Sequence, residues 1–424
     1  MTYTNPKNLL KFNRFDVAAK HLMLKHAQRG YQTTFGLNVY SEHIKVWNGF
    51  KEYDNPKKNS LESYIKEFFK INDSIRKNGY NPKLPPVPIN KDGYLLNGAH
   101  RLASCILNNK NINFEETDDP KAGQEDCTSY FFRNLGLDNK ICDSIALEYA
   151  KLKENSFIVT LFPAATVKDN IGDIRRIIME NGDVVYEKGA ILCNQGPLNL
   201  IRQIYDGESW GGDFNNGFSG FRLKENYCFS PSPKSPVYAF LAEFDSVEKA
   251  HEVKRLIRDV YDISNHSVHI NDTHEETLRL AKVFFNNNSL HYLNNAVIQN
   301  YSKYNHLIGE LKDWMAKNKY DSDDVCVTAS SVMSAFGMRE GQDLDYLYGG
   351  NVKPIQGNPL IHEHNKEIDN YTVGKDEIMY NDNNHFYFNG VKFASIGVIH
   401  ELKNKRSEPK DIRDIELMEG MLKV

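Results

Sequence analysis

Apolar residues recur at three- and four-residue spacing in 60–77, where Leu61, Tyr64, Ile65, Phe68 and Phe69 line one stripe. That period predicts an amphipathic helix, and residues 17–28 predict another. A proline-rich connector at 82–88 leads to Lys91-Asp92-Gly93, a turn that predicts a hairpin with Tyr94, Leu95 and Leu96 as the return strand. Asn97-Gly98 breaks that strand, and a helix begins at Ala99. Farther on, the unbroken apolar run 157–162 predicts a buried strand, and Ile171, Ile174, Ile177 and Ile178 predict a helix over 171–180. Short strands follow at 184–186 and 191–192, a strand at 237–244, and helices at 247–261 and 277–285. Glycine-rich 210–220 reads as a mobile or substrate-covering loop. The last third predicts a helix at 307–318, strands around Val327, Asp343 and 385–393, and mostly loop from 349 to 376.

Mixed strands and helices of this kind predict an α+β multidomain chain in three segments, 1–150, 151–300 and 301–424. The middle segment is ferredoxin-like in outline. At 424 residues, 40% of them hydrophobic, the chain is long enough for such a set of cores. A net charge of -4 makes nucleic acid an unfavourable general partner. No apolar run predicts membrane insertion, and the first residues lack the apolar core of a signal peptide. Six scattered cysteines without a C-x-x-C pair point to a reducing, cytoplasmic setting. A homo-oligomer is compatible with all of this.

The densest chemistry lies near the end. Val327-Thr328-Ala329-Ser330-Ser331 is followed, after a helix-length spacer, by Asp343-Leu344-Asp345. On a strand, Asp343 and Asp345 project from one face. Two adjacent carboxylates repel unless a cation lies between them. Mg²⁺, or Mn²⁺ in its place, suits such a pair and leaves positions for phosphate oxygens. The small turn at Ser330 and Ser331 lets backbone N–H groups approach a phosphate. This segment resembles the polymerase-beta-type nucleotidyltransferases. The resemblance implies that Ser331 takes the family's serine position and that Asp343 and Asp345 bind catalytic metal. Ser330 replaces the usual glycine, and strand 385–393 carries no third acid. The run from Lys403 to Asp414 resembles the tail of small-substrate members of that family, which implies that its cations neutralise a triphosphate; Lys403 or Lys392, which follows Gly390, is expected to supply that charge.

Two further resemblances complete the reading. Asn97, Gly98, His100 and Arg101 form an Asn-Gly-x-His-Arg turn at a helix start, a natural anion site. The turn resembles that of the ParB and sulfiredoxin superfamily, and the resemblance implies nucleotide phosphate binding. A kinase there needs a base, for which Glu52 and Glu42 are candidates. In the middle segment, residues 265–277 resemble the active-site stretch of nucleoside diphosphate kinases, which puts His269 on the phosphate-accepting position. The family's lysine after the first strand is missing, since the strand runs into Pro163-Ala164. Thr273 and Glu276 independently predict a capping box.

The expectation is a Mg²⁺-dependent transferase. It moves a nucleotidyl or phosphoryl group from a nucleoside triphosphate, ATP or CTP, to a small phosphorylated or hydroxylated metabolite. The combination of segments resembles bacterial surface-polysaccharide biosynthesis enzymes. The alternatives are a small-molecule kinase centred on the first segment, and a non-catalytic nucleotide- or DNA-binding protein.

Overall fold

Three β-sheets follow one another along the chain. This computed structural model describes residues 2–52, 56–81, 84–123, 126–166 and 171–422. Pro82 and Lys83 of the proline-rich connector lie outside them. In the first sheet, Thr2–Thr4 (β1), Val87–Ile89 (β2) and Ile112–Glu116 (β3) run in the order β1-β3-β2. The expected helices are present as Phe15–Arg29 and Leu61–Asn78. Ser60 caps the latter by accepting a hydrogen bond from the Ser63 N–H, and Gly79 ends it at φ 69°. The hairpin expected at 91–93 is reduced to its turn and a single bridge between Ile89 and Leu95. The Asn90 side chain accepts from the N–H groups of Asp92 and Tyr94, so the turn closes on itself. The chain then enters the helix Ala99–Leu107 before a ladder can grow.

The second sheet contains Ser156–Leu161 (β4), Asp183–Ala190 (β5), Val237–Glu243 (β6) and Val268–Ile270 (β7), in the order β5-β6-β4-β7 and wholly antiparallel. A register shift between Val184 and Tyr186 lets one strand replace the expected start of two; 191–192 lies outside it. β4 is buried along its whole length. Its two faces serve different cores. Phe157, Val159 and Leu161 pack with the helices Ile171–Asn181 and Val247–Tyr261, whereas Ile158 joins the main core. Residues 210–220 are more ordered than a covering loop. Ser219–Phe229 is a helix, and a Cβ on Gly220 would lie 2.0 Å from the Trp210 carbonyl oxygen. Close backbone packing, not freedom of movement, accounts for a glycine there.

The third sheet contains Val325–Thr328 (β8), Leu344–Tyr348 (β9), Ile361–Glu363 (β10), His385–Phe388 (β11) and Val391–Ala394 (β12), in the order β10-β9-β8-β12-β11. Strand 385–393 thus turns back on itself at Asn389-Gly390, both in the left-handed region. The stretch 349–376 is not all loop, because β10 pairs in parallel with β9.

One hydrophobic cluster runs from Leu9 to Met418 through all three segments. At its polar centre is Asp323. One carboxylate oxygen meets Lys151 Nζ at 2.6 Å, and the other meets Lys282 Nζ and the Tyr387 hydroxyl at 2.9 Å each. Its backbone carbonyl accepts from Lys392 Nζ at 2.6 Å. These partners come from the helix Asn139–Leu152, the helix His274–Phe284 and the third sheet. No helix among the described residues is long and apolar enough to cross a membrane.

Burial works to raise the Asp323 pKa, but Lys151, Lys282 and Lys392 outweigh it and hold the carboxyl well below the ordinary range. Its stabilisation is therefore present above the unfolded carboxylate pKa of ~4 and is lost as pH falls through the depressed folded value. Asp323→Ala should destabilise the chain by about 3–5 kcal/mol, because two lysines lose their counter-charge. Urea denaturation from neutral pH down to acid should show this gap closing as the wild-type carboxylate protonates; a variant as stable as wild type at neutral pH would contradict the assignment.

Candidate metal centre

Period-two alternation puts Asp343 and Asp345 on one face where β9 begins. The neighbouring strand completes the set. His362 on β10 is the register partner of Asp345. Its Nδ1 lies 3.6 Å from Asp343 Oδ2 and 3.9 Å from Asp345 Oδ1. One donor atom from each of these three residues falls within 4.8 Å of the other two. His362 Nε2 lies 2.8 Å from the Pro359 carbonyl. A carbonyl accepts only from an N–H, so in the neutral ring Nε2 carries the proton and Nδ1, facing the carboxylates, offers the lone pair a ligand needs. Asp345 is the closed side of the cluster, with a side chain 8% exposed; Asp343 and His362 are open to solvent.

A line of hydrogen bonds fixes Asp345 from behind. His364 Nε2 lies 3.0 Å from Asp345 Oδ1, His364 Nδ1 lies 3.4 Å from the Tyr371 hydroxyl, and that hydroxyl lies 2.9 Å from Thr328 Oγ1. Burial opposes a charge on His364, but the hydrogen bond and charge of Asp345 prevail and raise its pKa. Ser331 ties the approach segment down. Its hydroxyl donates to the Asp343 carbonyl at 3.3 Å and accepts from the Asp345 N–H at 3.0 Å. Ser331 thus orients the strand that carries the acids. Ser330 begins the short helix Ser330–Ala335. The strained residue of the turn is Ala329, at φ 51°, one position before the Ser330 that replaces the usual glycine.

Other residues named from sequence are placed elsewhere. Lys392 is buried, with its ammonium on the carbonyls of Asp323 and Met379. Lys403 is 2% exposed and pairs with Asp411 and Asp414, to which Arg406 and Arg339 also bind. Both lysines are held by internal acceptors rather than beside Asp343. Glu52 pairs with Lys58 at 2.8 Å, and Glu42 lies 3.4 Å from Lys45. The Asn97-Gly98 turn has Gly98 at φ 100° as helix N-cap, with no side-chain cap. Asn97 is exposed, and its Oδ1 meets the Gly98 N–H. The Arg101 guanidinium lies across Gly98 and donates to the Tyr80 hydroxyl and the Pro85 carbonyl. The His100 ring packs on Phe68 at 4.5 Å and meets the Tyr40 hydroxyl at 3.0 Å. Burial, then Lys20 and Lys58, depress its pKa well below normal, so it is neutral at pH 7. His269 lies on β7, packed against Tyr205. Thr273 and Glu276 form the expected capping box.

His362 and His364 were not singled out from sequence. The available signal is their own two-residue spacing, which mirrors that of the acids. Two carboxylates and an imidazole fit a divalent ion, and the nitrogen donor shifts the preference from Mg²⁺ toward a metal that accepts imidazole. Mn²⁺ should therefore raise the melting temperature more than Mg²⁺ at equal concentration, and Asp345→Asn should remove the shift, as scanning fluorimetry reads. Equal shifts in wild type and variant would remove the ion from this site. No protein-family model matches the chain, and neither a curated protein nor a solved structure is significantly similar to it.

Proposed function

We propose that this protein is a divalent-metal-dependent transferase. It moves a nucleotidyl or phosphoryl group from a nucleoside triphosphate, ATP or CTP, to a small phosphorylated or hydroxylated metabolite. The observation that carries this reading is the convergence of Asp343, Asp345 and His362 at the mouth of a small-residue turn. These three residues would hold the ion, which when bound supplies positive charge to phosphate oxygens. Asp345 is the fixed member, oriented by His364 and Tyr371. Asp343 and His362 form the open side, where a triphosphate can enter. Ser331 holds the acids in register, and the backbone at Ala329 and Ser330 lies where phosphates would be oriented. The wholly antiparallel order β5-β6-β4-β7, with helical crossovers between β4 and β5 and between β6 and β7, supports the ferredoxin-like reading of the middle segment, into which the helices Gly196–Ile204 and Ser219–Phe229 are inserted between β5 and β6. The acceptor class, a building block of a bacterial surface polysaccharide, rests on the resemblance of the segment combination.

A kinase centred on the first segment is the second reading. The uncapped helix at Gly98, with Arg101 across it, favours it. Products separate the two, since nucleotidyl transfer releases pyrophosphate and a kinase does not.

Asp345→Asn should lower pyrophosphate release by about 100-fold or more, since even residues that only support a ligand change activity by 10–100-fold. Circular dichroism should remain that of wild type. Tyr371→Phe should lower turnover by about tenfold through its hold on His364. Full turnover in Asp345→Asn would reject the metal-centre reading, and turnover lost in Arg101→Ala without pyrophosphate in wild type would install the kinase.

A further inference from the structure

Far along the chain from the metal centre, the second sheet carries a cleft of about 680 Å³ between β7, the helix Ser219–Phe229 and the helix Val247–Tyr261. Three cations line it: Lys224 from the first helix, and Lys254 and Arg258, one turn apart, from the second. Among the described residues none of the three forms an ion pair. Lys224 Nζ donates to the Asn265 carbonyl at 2.5 Å and Lys254 Nζ to the Ile270 carbonyl at 2.9 Å. Three of the four acids on the same wall have other partners. Asp206 meets Arg279 at 3.3 Å, Asp272 meets His251 at 2.7 Å, and Glu276 completes the helix cap; Glu208 is exposed.

Two buried polar atoms in this cleft lack a hydrogen-bond partner, His269 Nε2 and Arg258 Nε. Buried nitrogen without an acceptor is costly, and so is covered positive charge without a counter-ion. Burial lowers the pKa values of Lys224 and Lys254, and on Lys254 it outweighs the opposing charges of Asp272 and Glu276. The rest of the cleft is aromatic. Trp210 is 46% and Tyr227 50% exposed, with Tyr227 stacked on His266 at 4.5 Å. Large exposed rings beside desolvated cations form a surface for a flat ring next to an anion.

We propose that this cleft binds a small molecule with a phosphate or diphosphate group and a flat ring. Lys224, Lys254 and Arg258 hold the phosphate beside His269, and Trp210 and Tyr227 take the ring. The site is separate from the metal centre and does not depend on the transferase reading.

Calorimetric titration of the full chain with inorganic phosphate, pyrophosphate and phenyl phosphate tests this, at one fixed ionic strength. Phenyl phosphate is expected to bind more tightly than inorganic phosphate, and Trp210→Ala to erase the difference. Arg258→Met should weaken binding of pyrophosphate by about tenfold or more, as loss of a charge-assisted hydrogen bond does. The ligand-free melting temperature of Arg258→Met should equal or exceed that of wild type, because a partly buried charge with an unpartnered Nε has been removed. A purely structural arginine would instead lower it, and that result would overturn the proposal. Absence of binding by all three probes, or pyrophosphate binding unchanged in Arg258→Met, would overturn it as well. Asp343→Asn should bind all three as wild type does, and loss of binding in that variant would place the phosphate at the metal centre instead.

Discussion

Beside the hydrophobic cluster that runs through all three segments, polar contacts from the helices Asn139–Leu152 and His274–Phe284 and from the third sheet converge on Asp323. Lys151 reaches it from the helix Asn139–Leu152, Lys282 from the helix His274–Phe284 and Tyr387 from β11, while Lys392 takes its backbone carbonyl. A single acid with three buried lysines around it is excessively cationic unless other acids share the load. Glu148, with Lys25 and His21, and Asp382, beside His385, lie in the same polar cavity. Geometry this exact is unforgiving, since removal of one partner leaves the others desolvated. The junction therefore fixes how β11 and β12 meet the middle helices, and through β8 it fixes the sheet from which the metal centre is built.

The metal centre applies the same economy in reverse. Asp343 and Asp345 have no lysine or arginine in ion-pair contact among the described residues; only imidazoles approach them. Ala329 tolerates a positive φ immediately after β8, a conformation unfavourable by about 1–3 kcal/mol at most sites and persisting only where packing enforces it. Ser331 provides that enforcement by bonding both to the Asp343 carbonyl and to the Asp345 N–H. Strain in the turn and register in the strand are thus one device, which sets two carboxylates side by side without a cation of the protein to separate them.

Local pattern carried much of this and long-range pairing the remainder. The helix 247–261 was legible from its apolar period, and the shared face of Asp343 and Asp345 from strand alternation. The capping box at Thr273 and Glu276 was legible for the same reason, since its donors and acceptors are three residues apart. His362 was not, because β10 is three residues long, lies in a loop-rich stretch and gains meaning only from its parallel pairing with β9. Lys403 shows the opposite limit. Its charge beside a nucleotidyltransferase-like motif reads as a triphosphate ligand, but Asp411 and Asp414 on the next helix pair with it, and Arg339 reaches Asp414 across 75 residues of sequence. Charge is visible in sequence; its nearest counter-charge is a property of packing.

That distinction gives the remaining polar groups their meaning. Buried and partly buried acids in this chain are paired at Asp16, Asp323 and Asp411, each held by two cations, and at Glu148, which meets Lys25 and the His21 imidazole. Against that background, clustered charge without an ion pair is informative, and among the described residues it gathers at the start of β9, where only imidazoles approach the acids, and between β7 and the helix Val247–Tyr261, where cations meet; the buried Lys392 is answered instead by two backbone carbonyls. Neither arrangement improves folding, because each leaves like charges close together with their hydration reduced. Such clusters carry a cost in stability that a ligand of opposite charge would remove on binding. The two proposed sites would thus differ in the ion they take and share one physical logic.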